Sequence, residues 1–142
     1  MNLAAHILAS YLVACSLTAD PNLILLGVLF GLIPDLDHLS HTMRAIRTGR
    51  YGTESRSRFH ELYGLALFSA AIMLLSYAYG NFAVMFFPLL AHYLLDFLTR
   101  PTRPFYPFNK TIMHFSLYPK SMKNMIIADI LFTGGLLLWI IL

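Results

Sequence analysis

The chain has 142 residues, of which 58% are hydrophobic and only 12% charged, with a mean hydropathy of +0.65 and a formal net charge of +3. An average soluble domain is about 45–50% apolar and about 25% charged, so this composition excludes an ordinary soluble globule and points to a single membrane domain over residues 1–142. A lone cysteine, Cys15, excludes an internal disulfide and a thiolate metal cage, and dispersed arginines without a reading motif or aromatic platform exclude a nucleic-acid partner.

The apolar runs are continuous rather than alternating, which selects helices over a barrel, the two structures a bilayer permits. The first predicted span covers residues 3–18. Within it Leu12-Val13-Ala14-Cys15 resembles a lipoprotein cleavage box, but the stretch from Met1 to Ser10 has no Lys or Arg. An ordinary first helix with a buried thiol is therefore the preferred reading. Asp20-Pro21-Asn22 is a turn with a capping residue. The second predicted span covers residues 22–38, but its apolar run, Leu23 to Ile33, is short against the roughly 20 residues that cross about 30 Å of hydrocarbon. Pro34 interrupts or kinks that helix and leaves Asp35-Leu36-Asp37-His38 within membrane depth. Residues 39–58 form a polar loop holding Arg44, Arg47, Arg50, Arg56 and Arg58. The third span covers 60–79, Gly80-Asn81 is a turn, and the fourth covers 82–98. Residues 99–124 form a second polar loop with Arg100, Arg103, Lys110, Lys120 and Lys123, and the fifth span covers 125–142. The predicted fold is an all-α polytopic membrane bundle of about five transmembrane helices.

Five antiparallel spans place the N-terminus and both polar loops on one side, and the turns at 20–22 and 80–81 with the C-terminus on the other. All ten Lys and Arg residues fall on the first side. The positive-inside rule makes that side cytoplasmic and the C-terminus external, in a plasma or inner membrane.

The same ends of the segments carry His6, Asp35, Asp37, His38, His60, Glu61, His92, Asp96 and Asp129. A carboxylate near the middle of a spanning helix costs about 2.5–3.5 kcal/mol, so several together call for a compensating partner. His92 and Asp96 are four residues apart, share one helical face and can grip one ion. Asp35 and Asp37 straddle Leu36 and can reach two sides of a metal pair. Imidazole with carboxylate and no thiolate suits zinc, with manganese or iron next, as one ion or two. Such an ion acidifies water enough to supply a nucleophile near neutral pH. Bland readings stand beside each residue. His6 alone is more often an interior histidine than a ligand. His38, His41 and His114 sit in or beside polar loops, and the last two are left out of the site. Glu61 can be a first-turn acid favoured by the helix dipole, and Asp129 a partner for Lys123 or Lys120. The interfacial aromatics explain themselves as a belt. His60-Glu61-Leu62-Tyr63-Gly64 begins like the zincin motif but has glycine where the second histidine belongs, and no nucleophile elbow or phosphate-cradling loop occurs.

The segments Gly31-Leu32-Ile33-Pro34-Asp35-Leu36-Asp37-His38, Arg58-Phe59-His60-Glu61-Leu62, His92-Tyr93-Leu94-Leu95-Asp96 with Thr99, and Tyr106-Pro107-Phe108 resemble, in order, the motifs of the YdjM-like predicted membrane-bound metal-dependent hydrolases. In the middle motif Phe59 and Glu61 stand where that family usually has Thr and Ser. The resemblance implies a multi-spanning protein with a metal site and hydrolytic chemistry, and an early histidine of the family is matched by His6.

The reading that follows is an integral membrane metal-dependent hydrolase with metal ligands among His6, Asp35, Asp37, His38, His60, His92 and Asp96. Asp37 and Glu61 are the expected catalytic residues, Glu61 as general base or as an orienter of a ligand. Arg100 and Arg103 are placed to contact an anionic group, which makes a lipid phosphoester or acyl ester the expected substrate and membrane lipid the expected partner. Two other classes are weighed against it. A metal-ion transporter needs access to both sides, whereas the far half of each segment is nearly bare of polar groups. A non-catalytic membrane adaptor would use loop 39–58 and would survive loss of the metal.

Overall fold

Asn2 opens the first helix by accepting a hydrogen bond from the Ala5 amide at 2.8 Å. Asp20 does the same for Asn22 at 2.8 Å, with Pro21 supplying the preset first helical residue. The structure is a computed structural model that describes residues 2–36, 57–113, 115, 117 and 122–142. Its helices are α1 (Leu3–Leu17), α2 (Pro21–Leu32), α3 (Leu62–Tyr79), α4 (Phe82–Thr99) and α5 (Met122–Ile141), with no β-strand among the described residues. The all-α fold expected from continuous apolar runs is what is observed.

The helix ends follow local chemistry. Pro34 closes α2 into a single 3₁₀ turn, Ile33–Asp35, which carries Asp35 onward from the helix. Gly80 and Asn81, both at positive φ (73° and 62°), reverse the chain between α3 and α4 in two residues. Pro88 lies buried inside α4, where neighbouring helices protect the backbone it leaves short of a hydrogen bond.

Helix α4 is the centre. It packs against α1, α2 and α3, while α5 lies chiefly along α1. Ile72, Met85, Leu89 and Tyr93 form the buried apolar cluster, covered by Leu26, Phe30, Leu65, Phe68 and Phe86. Outside it the polarity is inverted relative to a soluble protein. Leu74, Leu131, Trp139 and Ile141 are each at least 70% exposed, as side chains that face hydrocarbon should be. Helices α3 and α4 and the Asn124–Ile141 stretch of α5 are long and apolar enough to cross a membrane. Helices α1 and α2 are apolar but shorter, at 15 and 12 residues, roughly 22 and 18 Å. Cys15 is exposed rather than buried as the sequence suggested, because it sits on the outward side of α1, away from the His6–Ser10–Ala14 face that the helix buries.

Candidate metal centre

Three helices meet along stripes of residues spaced by four, the interval that keeps side chains on one helical face. On α1 the stripe is His6, Ser10 and Ala14; on α4 it is Val84, Pro88, His92 and Asp96, all buried. On α2 it is Gly27 and Gly31, with Asp35 four residues further. The glycines allow the approach. A β-carbon at Gly27 would stand 2.9 Å from the Ala14 β-carbon and 2.9 Å from the Val84 carbonyl oxygen, and one at Gly31 would overlap the Ser10 side chain. Small residues are how membrane helices bring backbones together. Here the seam ends in four ionisable side chains.

His60 reaches the same place from a different element. The 3₁₀ turn Arg58–His60 folds back onto the start of α3, with the Phe59 amide bonded to the Ser57 hydroxyl at 2.9 Å. The Tyr93 hydroxyl donates to the Phe59 carbonyl oxygen. Gly64 is required underneath, since a β-carbon there would run into the Phe59 backbone. The glycine that breaks the zincin-like motif is thus the residue that seats His60.

The resulting cluster holds His6, Asp35, His60, His92 and Asp96. His6 Nε2 lies 3.3 Å from Asp96 Oδ1, and His60 Nε2 lies 3.4 Å from Asp35 Oδ1. His92 stands between the pairs. Its ring stacks on that of His6 with centroids 3.9 Å apart, and its Nε2 is 3.9 Å from Asp35 Oδ1. The three imidazoles and Asp96 are 1–3% exposed. Neither ring nitrogen of His92, nor Nδ1 of His6, has a hydrogen-bond partner among the described residues. Leaving a buried polar atom unpaired costs about 1–3 kcal/mol. Two donor sets have all their ligand atoms within 4.8 Å of one another: His6, Asp35 and His92, and His60, His92 and Asp96. Nitrogen and oxygen donors in this number, with unpaired imidazole nitrogens among them, fit a divalent ion of the zinc, manganese or iron kind.

The other expected site residues are placed differently. Asp37 and His38 lie outside the described residues, as do His41 and His114. Glu61 is 4% exposed and holds the N-cap position of α3 with an extended backbone and no side-chain cap bond. Both of its carboxylate oxygens accept the Arg103 amide, at 3.0 Å each, and it belongs to neither donor set. The Arg103 guanidinium lies over the Tyr106 ring, 5.0 Å from its centroid. Arg100 Nη2 lies 3.8 Å from Asp129 Oδ2, so Asp129 faces the end of α4; Lys120 and the Lys123 side chain, the partners expected for Asp129 from sequence, lie outside the described residues.

Ser10 was not singled out by sequence, although its spacing of four from His6 was a signal for a shared face. The pairing of Gly27-x-x-x-Gly31 with small residues on α1 was a second signal of the same kind. The family model described as YdjM inner membrane protein matches residues 1–141. Comparison with curated proteins and with solved structures gives no match.

Proposed function

We propose, from the premise that the chain belongs to the YdjM inner membrane protein family, that it is a membrane-embedded metal-dependent hydrolase acting on a lipid phosphoester or ester. The observation that carries this reading is His92: a buried imidazole whose two nitrogens have no hydrogen-bond partner among the described residues, set between two carboxylate–imidazole pairs. His6, Asp35, His60, His92 and Asp96 would hold one ion or two, zinc first and manganese or iron next, with Asp37 and His38 next along the chain as further donors. A bound ion of this kind supplies Lewis acidity that activates water and polarises an ester or phosphoester oxygen.

The residues of the chain do the rest. Asp96 and Asp35 fix the orientation of the His6 and His60 rings through the contacts described above. Burial at 1–3% exposure keeps bulk water from the imidazoles. Of the two roles expected for Glu61, the geometry favours the orienting one, because its carboxylate grips the Arg103 amide and so holds the segment after α4 beside His60. Arg100, at the end of α4 and partly exposed, is positioned to exchange part of its contact with Asp129 for an anionic headgroup.

We place the cluster at the cytoplasmic face, with five helices crossing or entering the bilayer. The one-sided distribution of Lys and Arg supports that orientation. A periplasm-active reporter enzyme fused after Leu142 should then be active and one fused before Met1 inactive; the reverse result would invert the assignment. For the chemistry, metal-loaded protein in detergent should hydrolyse at least one member of a panel of phospholipids and polyprenyl phosphates. Glu61→Gln should keep most of that turnover, since an amide oxygen still accepts the Arg103 N–H. Absence of turnover across the panel, with metal bound, would rule out the lipid hydrolase.

A further inference from the structure

A cavity of about 190 Å³ opens between α3 and α4, separate from the seam that gathers the metal donors. Leu65, Leu90, Leu94 and Phe97 form its apolar walls, and His60, Glu61, Tyr93 and Thr102 bring polar groups into its lining. Leu94 is 51% exposed, so the cavity opens on the outer surface of two helices that are each long and apolar enough to span a membrane. An apolar cleft that opens to a bilayer is filled by hydrocarbon, because water gains nothing there. Its volume is below the roughly 300–1,000 Å³ of sites that enclose a whole drug-sized ligand, which suits a segment of one chain with the remainder in the bilayer.

Thr102 adds a polar requirement. It is 4% exposed, and its hydroxyl has no hydrogen-bond partner among the described residues. The adjacent Thr99 satisfies its own hydroxyl on the Leu95 carbonyl oxygen at 2.7 Å, the usual helical solution. Thr102 lies past the helix end, its backbone fixed by a reciprocal pair of bonds with Met113 at 3.0 and 2.8 Å. That leaves an unpartnered, buried hydroxyl on a residue that lines the cleft.

We propose that this cleft is the chain-binding subsite: it takes one hydrocarbon chain of a membrane lipid from the side, and the Thr102 hydroxyl bonds the polar group at the head of that chain. His60 belongs both to the cleft wall and to the metal cluster, so a chain seated there presents its head-proximal bond to the cluster. In naming the chain as part of the substrate, the proposal rests on the hydrolase reading. Occupancy of the cleft does not, and it is measured without turnover.

The test is photolabelling of the full chain in phosphatidylglycerol nanodiscs containing a phosphatidylcholine with a mid-chain diazirine. Leu90, Leu94 and Phe97 should label several-fold more than Leu131, an outward residue of α5 that meets only annular lipid. Leu90→Trp should bring cleft labelling down to the Leu131 level. Thr102→Val, which exchanges the hydroxyl for a methyl of similar shape, should lower it about three- to tenfold, the worth of one hydrogen bond. Thr102→Val decides the matter where Leu90→Trp does not fold. Cleft labelling no stronger than at Leu131, or unchanged in Thr102→Val, would overturn the proposal. Strong cleft labelling with no hydrolysis of any lipid would retain the cleft and discard the hydrolase.

Discussion

His92→Ala is expected to strip the protein of bound metal. His92 is the one residue common to both donor sets, stacked on His6 and facing Asp35. Loss of a group that merely orients a ligand costs about 10–100-fold in metal affinity, so loss of a shared ligand should exceed about 100-fold. His6→Ala and Asp96→Ala each touch a single set and should remove less, leaving one ion if the cluster holds two. Alanine at a buried position also leaves a hole, worth about 2–5 kcal/mol for large side chains. His92→Gln, which keeps more of the volume, separates lost ligation from lost packing. Elemental analysis of detergent-purified protein reads the result directly. Metal content equal to the parent's in both variants would mean that His92 is a packing residue and not a ligand.

The second large effect belongs to a residue with no donor atom. Gly31→Ala puts a β-carbon into the Ser10 side chain. Overpacking of this kind costs about 1–3 kcal/mol, against a gain of about 1 kcal/mol from helix propensity, so the net change is destabilising. It should also lower metal retention, because Asp35 lies one turn beyond Gly31 and moves with it. Ser10→Gly on the same chain should recover most of both losses, a coupling of about 0.5–3 kcal/mol between residues in contact. Thermal unfolding in detergent together with metal content checks it. A Gly31→Ala protein as stable as the parent, with no dependence on Ser10, would show that α1 and α2 are not closely packed along this seam.

These two cases show what the sequence makes legible. Runs of apolar residues longer than a soluble core needs are visible without a fold, and so are the helices they form. Pro34 and the Gly80-Asn81 turn mark their ends because their backbone restrictions are intrinsic. His92 and Asp96 share a helical face by spacing alone. Which carboxylate meets which imidazole is a different kind of fact. Spacing suggests that His92 and Asp96 act on one ion as a local pair, and they do fall in one donor set, but carboxylate–imidazole contacts of 3.3 and 3.4 Å join His6 to Asp96 and His60 to Asp35 across different elements. Those contacts depend on how far α1 and α2 interpenetrate, which Gly27 and Gly31 decide. Glu61 and Arg103 meet across 42 residues, and Arg100 meets Asp129 from the next helix. Long-range pairings of this sort are products of assembly, and a one-dimensional pattern does not encode the crossing geometry that creates them.

Helix α5 contributes no donor to either set, lies chiefly along α1, and is fastened there by the Asn2 side-chain amide donating to Thr133 Oγ1 at 3.2 Å. Helix α4 combines a membrane-spanning length with two of the donors, whereas α5 supplies apolar length alone. Substitutions on the outer surface of α5 should therefore leave the donor cluster in place, whereas the four-spaced faces of α1, α2 and α4 set its geometry and tolerate little change.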